Sequence, residues 1–203
     1  MMEIQNHCGI SRIAGCSFSV YPMADRFKEI ILEALRTVDT SKVWIETDDV
    51  TTLVRGRIPH VFDVTSAIFL AAAKDGDHVV FNGTYSIGCP GDSTGDVYMA
   101  EDETKLNLPN VKDIKLETAS KFSLYPLGGG NYMDTIYTQI ENMRTRGITV
   151  SKSHYSTRLD GNAVDVFDGL EHVFTETEAS GSSHTVMTVT MSANSPSAKG
   201  VVK

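Results

Sequence analysis

The chain has 203 residues, 41% of them hydrophobic and 22% charged, and 18 Lys plus Arg against 26 Asp plus Glu leave a formal net charge of −8. That length holds one large domain or two small ones, and the acidic balance excludes the basic footprint of a nucleic-acid binder while suiting a neutral or cationic ligand. No apolar run reaches the ~18 residues of a membrane span, and the first residues, MMEIQNHCGISRIAG, lack the apolar stretch of a signal peptide, so a cytoplasmic location without membrane insertion is expected.

The predicted elements alternate between two hydrophobic periods. Residues 17–22 alternate and end at a proline, as a strand does. Residues 24–37 place Phe27, Ile30, Ile31, Ala34 and Leu35 on one helical face. Two β-rich runs, 42–47 and 50–57, flank Asp48-Asp49, a hairpin turn. A second helical face over 60–73 carries Val61, Val64, Ala67, Ile68 and Ala71, and a strand at 78–87 closes the series. After a stretch rich in Gly, Asp, Lys and Asn the same order returns: a strand at 120–126, a helix at 131–146, strands at 148–153 and 155–160, a helix at 163–177 and a strand at 184–192.

The second series repeats the first in sequence as well as in order. Phe18-Ser19-Val20-Tyr21-Pro22 returns as Phe122-Ser123-Leu124-Tyr125-Pro126, and Val61-Phe62-Asp63 returns as Val166-Phe167-Asp168. Gly56 pairs with Gly161, Thr52 with Thr157, Ser86 with Ser192 and Pro90 with Pro196. An ordered set of matches whose spacing drifts by single residues marks an internal duplication, with too few copies for a solenoid. The expected architecture is α+β: two tandem ferredoxin-like (βαββαβ, ACT-like) plaited sandwiches, each an antiparallel sheet with both helices on one face. The divisions are residues 10–92 for the first repeat, 93–117 for a linker carrying a short extra element, and 118–200 for the second repeat.

Landmarks beyond the repeat carry a resemblance. They are Cys8-Gly9, the run from Ser11 to Gly15, Tyr21-Pro22-Met23, the run from Thr40 to Trp44, the run from Leu53 to Gly56, and the run from His60 to Asp63. The longest is Asn82 to Asp92, and Leu159-Asp160-Gly161 with the run from Ser192 to Ser197 extends the set through the second copy. In order and at these distances they resemble the YkoF family of thiamin- and hydroxymethylpyrimidine-binding proteins; the Gly128-Gly129-Gly130 turn and the linker depart from it. The resemblance implies a homodimer, one ligand pocket per repeat, and a place in thiamin-precursor uptake or salvage beside an energy-coupled ABC-type transporter. The ligand it implies is thiamin or hydroxymethylpyrimidine, with no further cofactor.

It also directs attention to particular residues. Period two puts Val50, Thr52 and Val54 on one strand face, and Tyr155, Thr157 and Leu159 on the equivalent one. Each copy thus sets a threonine hydroxyl among apolar neighbours. Such a hydroxyl either bonds a nearby carbonyl or meets the donor–acceptor edge of an aminopyrimidine. The resemblance favours ligand contact for Thr52 and Val20, and repeat symmetry extends it to Thr157 and Leu124. Trp44, Asp48, Ser86 and Ser192 are further candidates: Asp48, with Glu46 and Asp49, to attract the thiazolium cation, Trp44 or Tyr21 to offer it a π face. Tyr155 is expected to narrow the second pocket if it points inward, and the glycine turn to raise the cost of closing it, so the first repeat should bind more tightly.

Catalysis has little to work with. The sequence holds no HExxH and no GxSxG. Three scattered cysteines, Cys8, Cys16 and Cys89, form no disulfide framework, and His7-Cys8 beside Cys16 lacks the ligand spacing of a metal site. The glycine turn lacks the Gly-Lys-Ser/Thr ending of a phosphate loop. A regulatory or acylphosphatase-like enzyme domain acting on amino acids or acyl phosphates is the alternative, and needs a cationic anchor such as Arg55 or Arg158. The sheet face away from the helices carries Tyr21, Trp44, Leu53 and Val80; either a second chain or the chain's own other sheet would cover it.

Overall fold

A computed structural model describes residues 13–89, 102–128 and 131–197. The first series runs β1 (Ala14–Pro22), α1 (Phe27–Thr37), β2 (Trp44–Thr47), β3 (Thr52–Gly56), α2 (Ile58–Ala73) and β4 (Val79–Ile87). A single turn of helix, α3 (Leu108–Val111), interrupts the connection. The second series follows as β5 (Glu117–Leu127), α4 (Tyr132–Thr145), β6 (Thr149–Ser153), β7 (Ser156–Asn162), α5 (Ala163–Ala179) and β8 (His184–Ala193). The βαββαβ order expected from the sequence is therefore present twice. α2 begins two residues earlier than the apolar period suggests because Pro59 sits in its first turn, where a fixed φ fits and a missing N–H costs nothing.

The two sheets do not stack on one another. They join edge to edge, β4 pairing antiparallel with β8 from Val79↔Ala193 to Ile87↔Thr185, into one eight-stranded sheet of order β2-β3-β1-β4-β8-β5-β7-β6. The possibility that one sheet covers the other within the chain is thereby corrected. Strand alternation then fixes which side chains meet the helices. In β4, Val79, Phe81, Tyr85 and Ile87 are buried while Val80, Asn82, Thr84 and Ser86 are not.

The core crosses the boundary between repeats. Phe62 of α2 stacks on Tyr85 at 4.2 Å and meets Phe174 of α5, and the repeat-related contact, Phe69 of α2 with Phe167 of α5, spans 5.9 Å. Shared aromatic burial of this kind makes the two copies one hydrophobic unit. Cys16 is buried here, its thiol hydrogen-bonded to Tyr85, whose hydroxyl lies 2.9 Å from that of Thr65; burial raises the thiol pKa well above its ordinary value, which keeps it protonated and unreactive. Cys89 is exposed, and Cys8 lies outside the described residues.

The connection is tied to α2 by one buried carboxylate. Asp63 accepts from the Asn107 N–H, the Asn107 side-chain amide and the Leu108 N–H, each at 2.9 Å. Asn107 in turn holds the end of α1, accepting from the Asp39 N–H at 2.7 Å.

Candidate functional site

Repeat one contains a cavity of about 340 Å³ between the start of α1 and the outer end of β1, β2 and β3. Its floor is apolar: Phe18 and Val20 from β1, Ile31 and Ala34 from α1, Ile68 and Ala72 from α2. Its mouth carries Phe27 and the β2–β3 hairpin, residues 47–52. An apolar hollow of this size with a few placed polar groups is the usual form of a small-molecule site.

The polar groups are the hairpin's. Thr47 and Thr52 stand directly opposite in the β2–β3 register, and their hydroxyls lie 3.0 Å apart. One hydroxyl–hydroxyl bond leaves each threonine capacity for another partner. The turn between them is longer than the two residues expected, because the Val50 and Thr51 N–H groups both donate to Asp48 Oδ1 at 2.8 Å and are held out of the strand. Those two N–H groups, Thr51 first, lower the Asp48 carboxyl below its ordinary value, so the mouth is anionic at neutral pH. Val50 is exposed in this turn, not inward on the face of Thr52 as the alternation suggested.

Three sequence candidates, Val20, Thr52 and Asp48, thus come together around one cavity. Asp49 lines the same mouth. The other first-repeat candidates lie elsewhere. Trp44 pairs with Arg55 on the opposite sheet face, the guanidinium 5.4 Å from its ring centroid. Ser86 and Ser192 also face away from the helices. There they form reciprocal bonds across the β4–β8 seam, Ser86 to His184 and Ser192 to His78, each at 3.0 Å. Strand parity is the reason: each lies an odd number of residues from a buried neighbour.

In repeat two, Leu124 and Thr157 occupy the positions of Val20 and Thr52, as the parallel registers Phe18↔Thr52 and Phe122↔Thr157 require. Leu124 is buried and Thr157 half-buried. Tyr155 does not narrow anything: it sits in the hairpin turn at φ 64° and is fully exposed. The glycine turn and Pro90 lie partly or wholly outside the described residues. Sequence reasoning passed over Thr47, Phe18, Ile68 and Ala72; the pairing of two threonines across a predicted hairpin was the available signal for the first.

Among the described residues no group of three or more His, Cys, Asp or Glu is placed to hold a metal ion, and no helix is long and apolar enough to cross a membrane.

Fold and cavity define a tandem βαββαβ protein with a small-molecule pocket on the helix side of its sheet. The sequence pattern of the YKOF-related family matches residues 13–92 and 117–198, one match for each repeat. The chain is 46% identical over 196 residues, covering 97% of its own length and 98% of the relative's, to a Bacillus subtilis (strain 168) protein named "Putative HMP/thiamine-binding protein YkoF". The chain belongs to the YkoF family. Among solved structures, the hypothetical protein MJ1052 from Methanocaldococcus jannascii aligns at a TM-score of 0.38 and 14% identity, over 42% of this chain and 88% of that one.

Proposed function

We propose that the protein is a non-catalytic binding protein for thiamin or its hydroxymethylpyrimidine half, with one site per repeat. The observation that carries this reading is the repeat-one cavity, with an apolar floor, a threonine pair and an anionic mouth. The floor accepts a flat heterocycle, Thr47 and Thr52 meet its amino and ring-nitrogen edge, and Asp48 with Asp49 faces the thiazolium cation. Leu124 and Thr157 carry the second site by symmetry. The family name of the Bacillus relative supports the same ligand class.

The alternative of an anion-binding regulatory or enzymatic domain gains nothing from the geometry. None of the described residues lining the cavity is Lys, Arg or His. Arg55 lies over Trp44 on the far sheet face, and Arg158 forms a two-pronged pair with Asp160 at 2.7 and 2.8 Å. A diphosphate would find no cationic cradle there, so free thiamin or the pyrimidine is preferred to thiamin diphosphate.

The reading extends to a cytoplasmic protein acting in uptake or salvage of thiamin precursors beside an energy-coupled transporter, and to a homodimer. The open sheet face, with Tyr21 and Leu53 at 50% and 38% exposure, is the surface that supports dimerisation. Calorimetry with thiamin, hydroxymethylpyrimidine and thiamin diphosphate tests the ligand: heat is expected with the first two, and none with any of the three overturns the reading. Sedimentation showing only a 22.2 kDa species removes the dimer.

A further inference from the structure

The hairpin that closes the first cavity is rebuilt with opposite charge in the second repeat. Where repeat one has Glu46, Thr47, Asp48 and Asp49, repeat two has Ser151, Lys152, Ser153 and His154. At the cavity mouth Asp48 and Asp49 give way to Ser153 and His154, and an ammonium is introduced, while Glu46, opposite Leu53, belongs to the other sheet face. Register fixes where the ammonium sits: Lys152 stands directly opposite Thr157, as Thr47 stands opposite Thr52, so both members of each pair belong to the helix side of the sheet. Lys152 is exposed and makes no ion pair among the described residues, so its charge is not neutralised by a neighbour. The carboxylate of the adjoining helix does not distinguish the sites, since Asp134 in the first turn of α4 matches Glu29 in the first turn of α1.

The floor differs in the same sense. Ala34 lines the first cavity, and the α4 residue in its place is Gln139, a long amide that is only 5% exposed. Asn142 donates to the Gln139 carbonyl oxygen at 3.0 Å, and the Gln139 amide nitrogen donates to nothing among the described residues. The amide nitrogen still reaches solvent and keeps donor capacity that a polar ligand edge can take up.

Resting on the binding reading above, we propose that the two sites divide the ligand class by charge: the second repeat takes the uncharged hydroxymethylpyrimidine and discriminates against cationic thiamin, which the first repeat favours. A permanent cation brought to the second hairpin meets an ammonium in place of carboxylates, whereas a neutral pyrimidine is indifferent to that exchange and gains the Gln139 amide.

Methyl-labelled protein separates the sites, Val20 reporting the first and Leu124 the second. Titrated with thiamin chloride, the parent is expected to show the Val20 methyl responding at about tenfold lower concentration than Leu124, with a smaller gap for hydroxymethylpyrimidine. The combined change Lys152→Thr, Ser153→Asp and His154→Asp should strengthen thiamin at the Leu124 site by about tenfold and leave hydroxymethylpyrimidine there within about twofold. As an independent arm, Asp49→Lys should weaken thiamin at the Val20 site and spare hydroxymethylpyrimidine. The proposal is overturned if the exchanged hairpin leaves thiamin binding unchanged, if it shifts both ligands equally, or if Asp49→Lys has no effect. Failure of thiamin and hydroxymethylpyrimidine to move either methyl in the parent would instead sink the binding reading itself.

Discussion

Asp63 and Asp168 stand at the same position of the duplicated helix and have parted company. Asp63 is buried on α2 and accepts three hydrogen bonds from the connecting segment. Asp168 lies on the surface of α5, its side chain 59% exposed, in an ion pair with Arg146. The same carboxylate is thus a structural clamp in one repeat and a solvated charge in the other, because the Asn107–Leu108 turn packs on α2 at this position whereas the connection meets the start of α5 at Asn162 and Ala163. Duplication supplies equivalent backbones; what the rest of the chain packs against them decides what each side chain does.

The largest effect expected from that contrast is on stability. Asp63→Ala leaves two buried N–H donors of Asn107 and the part-buried Leu108 N–H without their acceptor and should lower the unfolding free energy by about 3 kcal/mol. Asp168→Ala breaks an exposed pair and should cost under about 1 kcal/mol. Urea unfolding of both variants checks the comparison, and equal losses would break it.

The two threonines come next. Thr52→Val removes a hydroxyl from the first cavity and should weaken the tighter binding phase by about 1–3 kcal/mol, since a ligand polar group is left unpaired. Thr157→Val should touch the weaker phase alone. Calorimetric titration separates the phases, and an intact tighter phase in Thr52→Val would make that threonine a structural partner of Thr47 and nothing more.

Most of the architecture is legible in the sequence. Period-two and helical faces, repeated at a nearly constant spacing, fixed the two βαββαβ units, because burial on one face imposes that pattern on the sequence. Sheet joining was not legible: β4 and β8 pair through backbone groups, and the amphipathic pattern of an edge strand is nearly that of a joined one. Trp44, whose ring could face a cation, and Ser86 and Ser192 read as site candidates in the sequence, while strand parity sends all three to the far face. Val50 and Tyr155 misled for a different reason. Each continues a β-like alternation, yet the Asp48 carboxylate captures the turn in one case and a positive φ sets it in the other. The charge reversal between Asp48-Asp49 and Ser153-His154 was present in the sequence throughout, and gains meaning only when the register sets Lys152 opposite Thr157.

A smaller contrast is pH-dependent. Glu171 of α5 replaces Ser66 of α2, and burial pushes its carboxyl up to about 6 from an ordinary 4.5, against the pull of the Lys105 ammonium at 2.6 Å and with Asp168 and Asp63 reinforcing the rise. The folded chain therefore holds this proton more tightly than the unfolded one. The linkage has a definite sign: the group's destabilisation is present in full above about pH 6 and is relieved as pH falls toward about 4.5. Relative to the parent, Glu171→Gln should gain up to about 2 kcal/mol between those limits as pH rises. Urea unfolding across that window checks it, and a parallel pH profile for the two proteins would remove Glu171 as the source.

The smallest expected effect tests the buried core of the second repeat. Thr185 of β8 occupies the place of Val79 in β4: Val79 pairs with Pro22 of β1, and Thr185 with Pro126 of β5. Both are fully buried, but the Thr185 hydroxyl has no hydrogen-bond partner. Valine matches threonine in shape and carries no group that needs a partner, and the first repeat already uses it at this point. Thr185→Val should therefore raise the unfolding free energy of the ligand-free protein by about 1 kcal/mol, while Val79→Thr should lower it by a similar amount. Thermal melts of the two variants give opposite signs if the repeats differ only in what these core positions leave unsatisfied. A loss of stability in Thr185→Val would mean that the hydroxyl is satisfied in solution, most simply by a water held in the second repeat, and that its core is wetter there than the first repeat's.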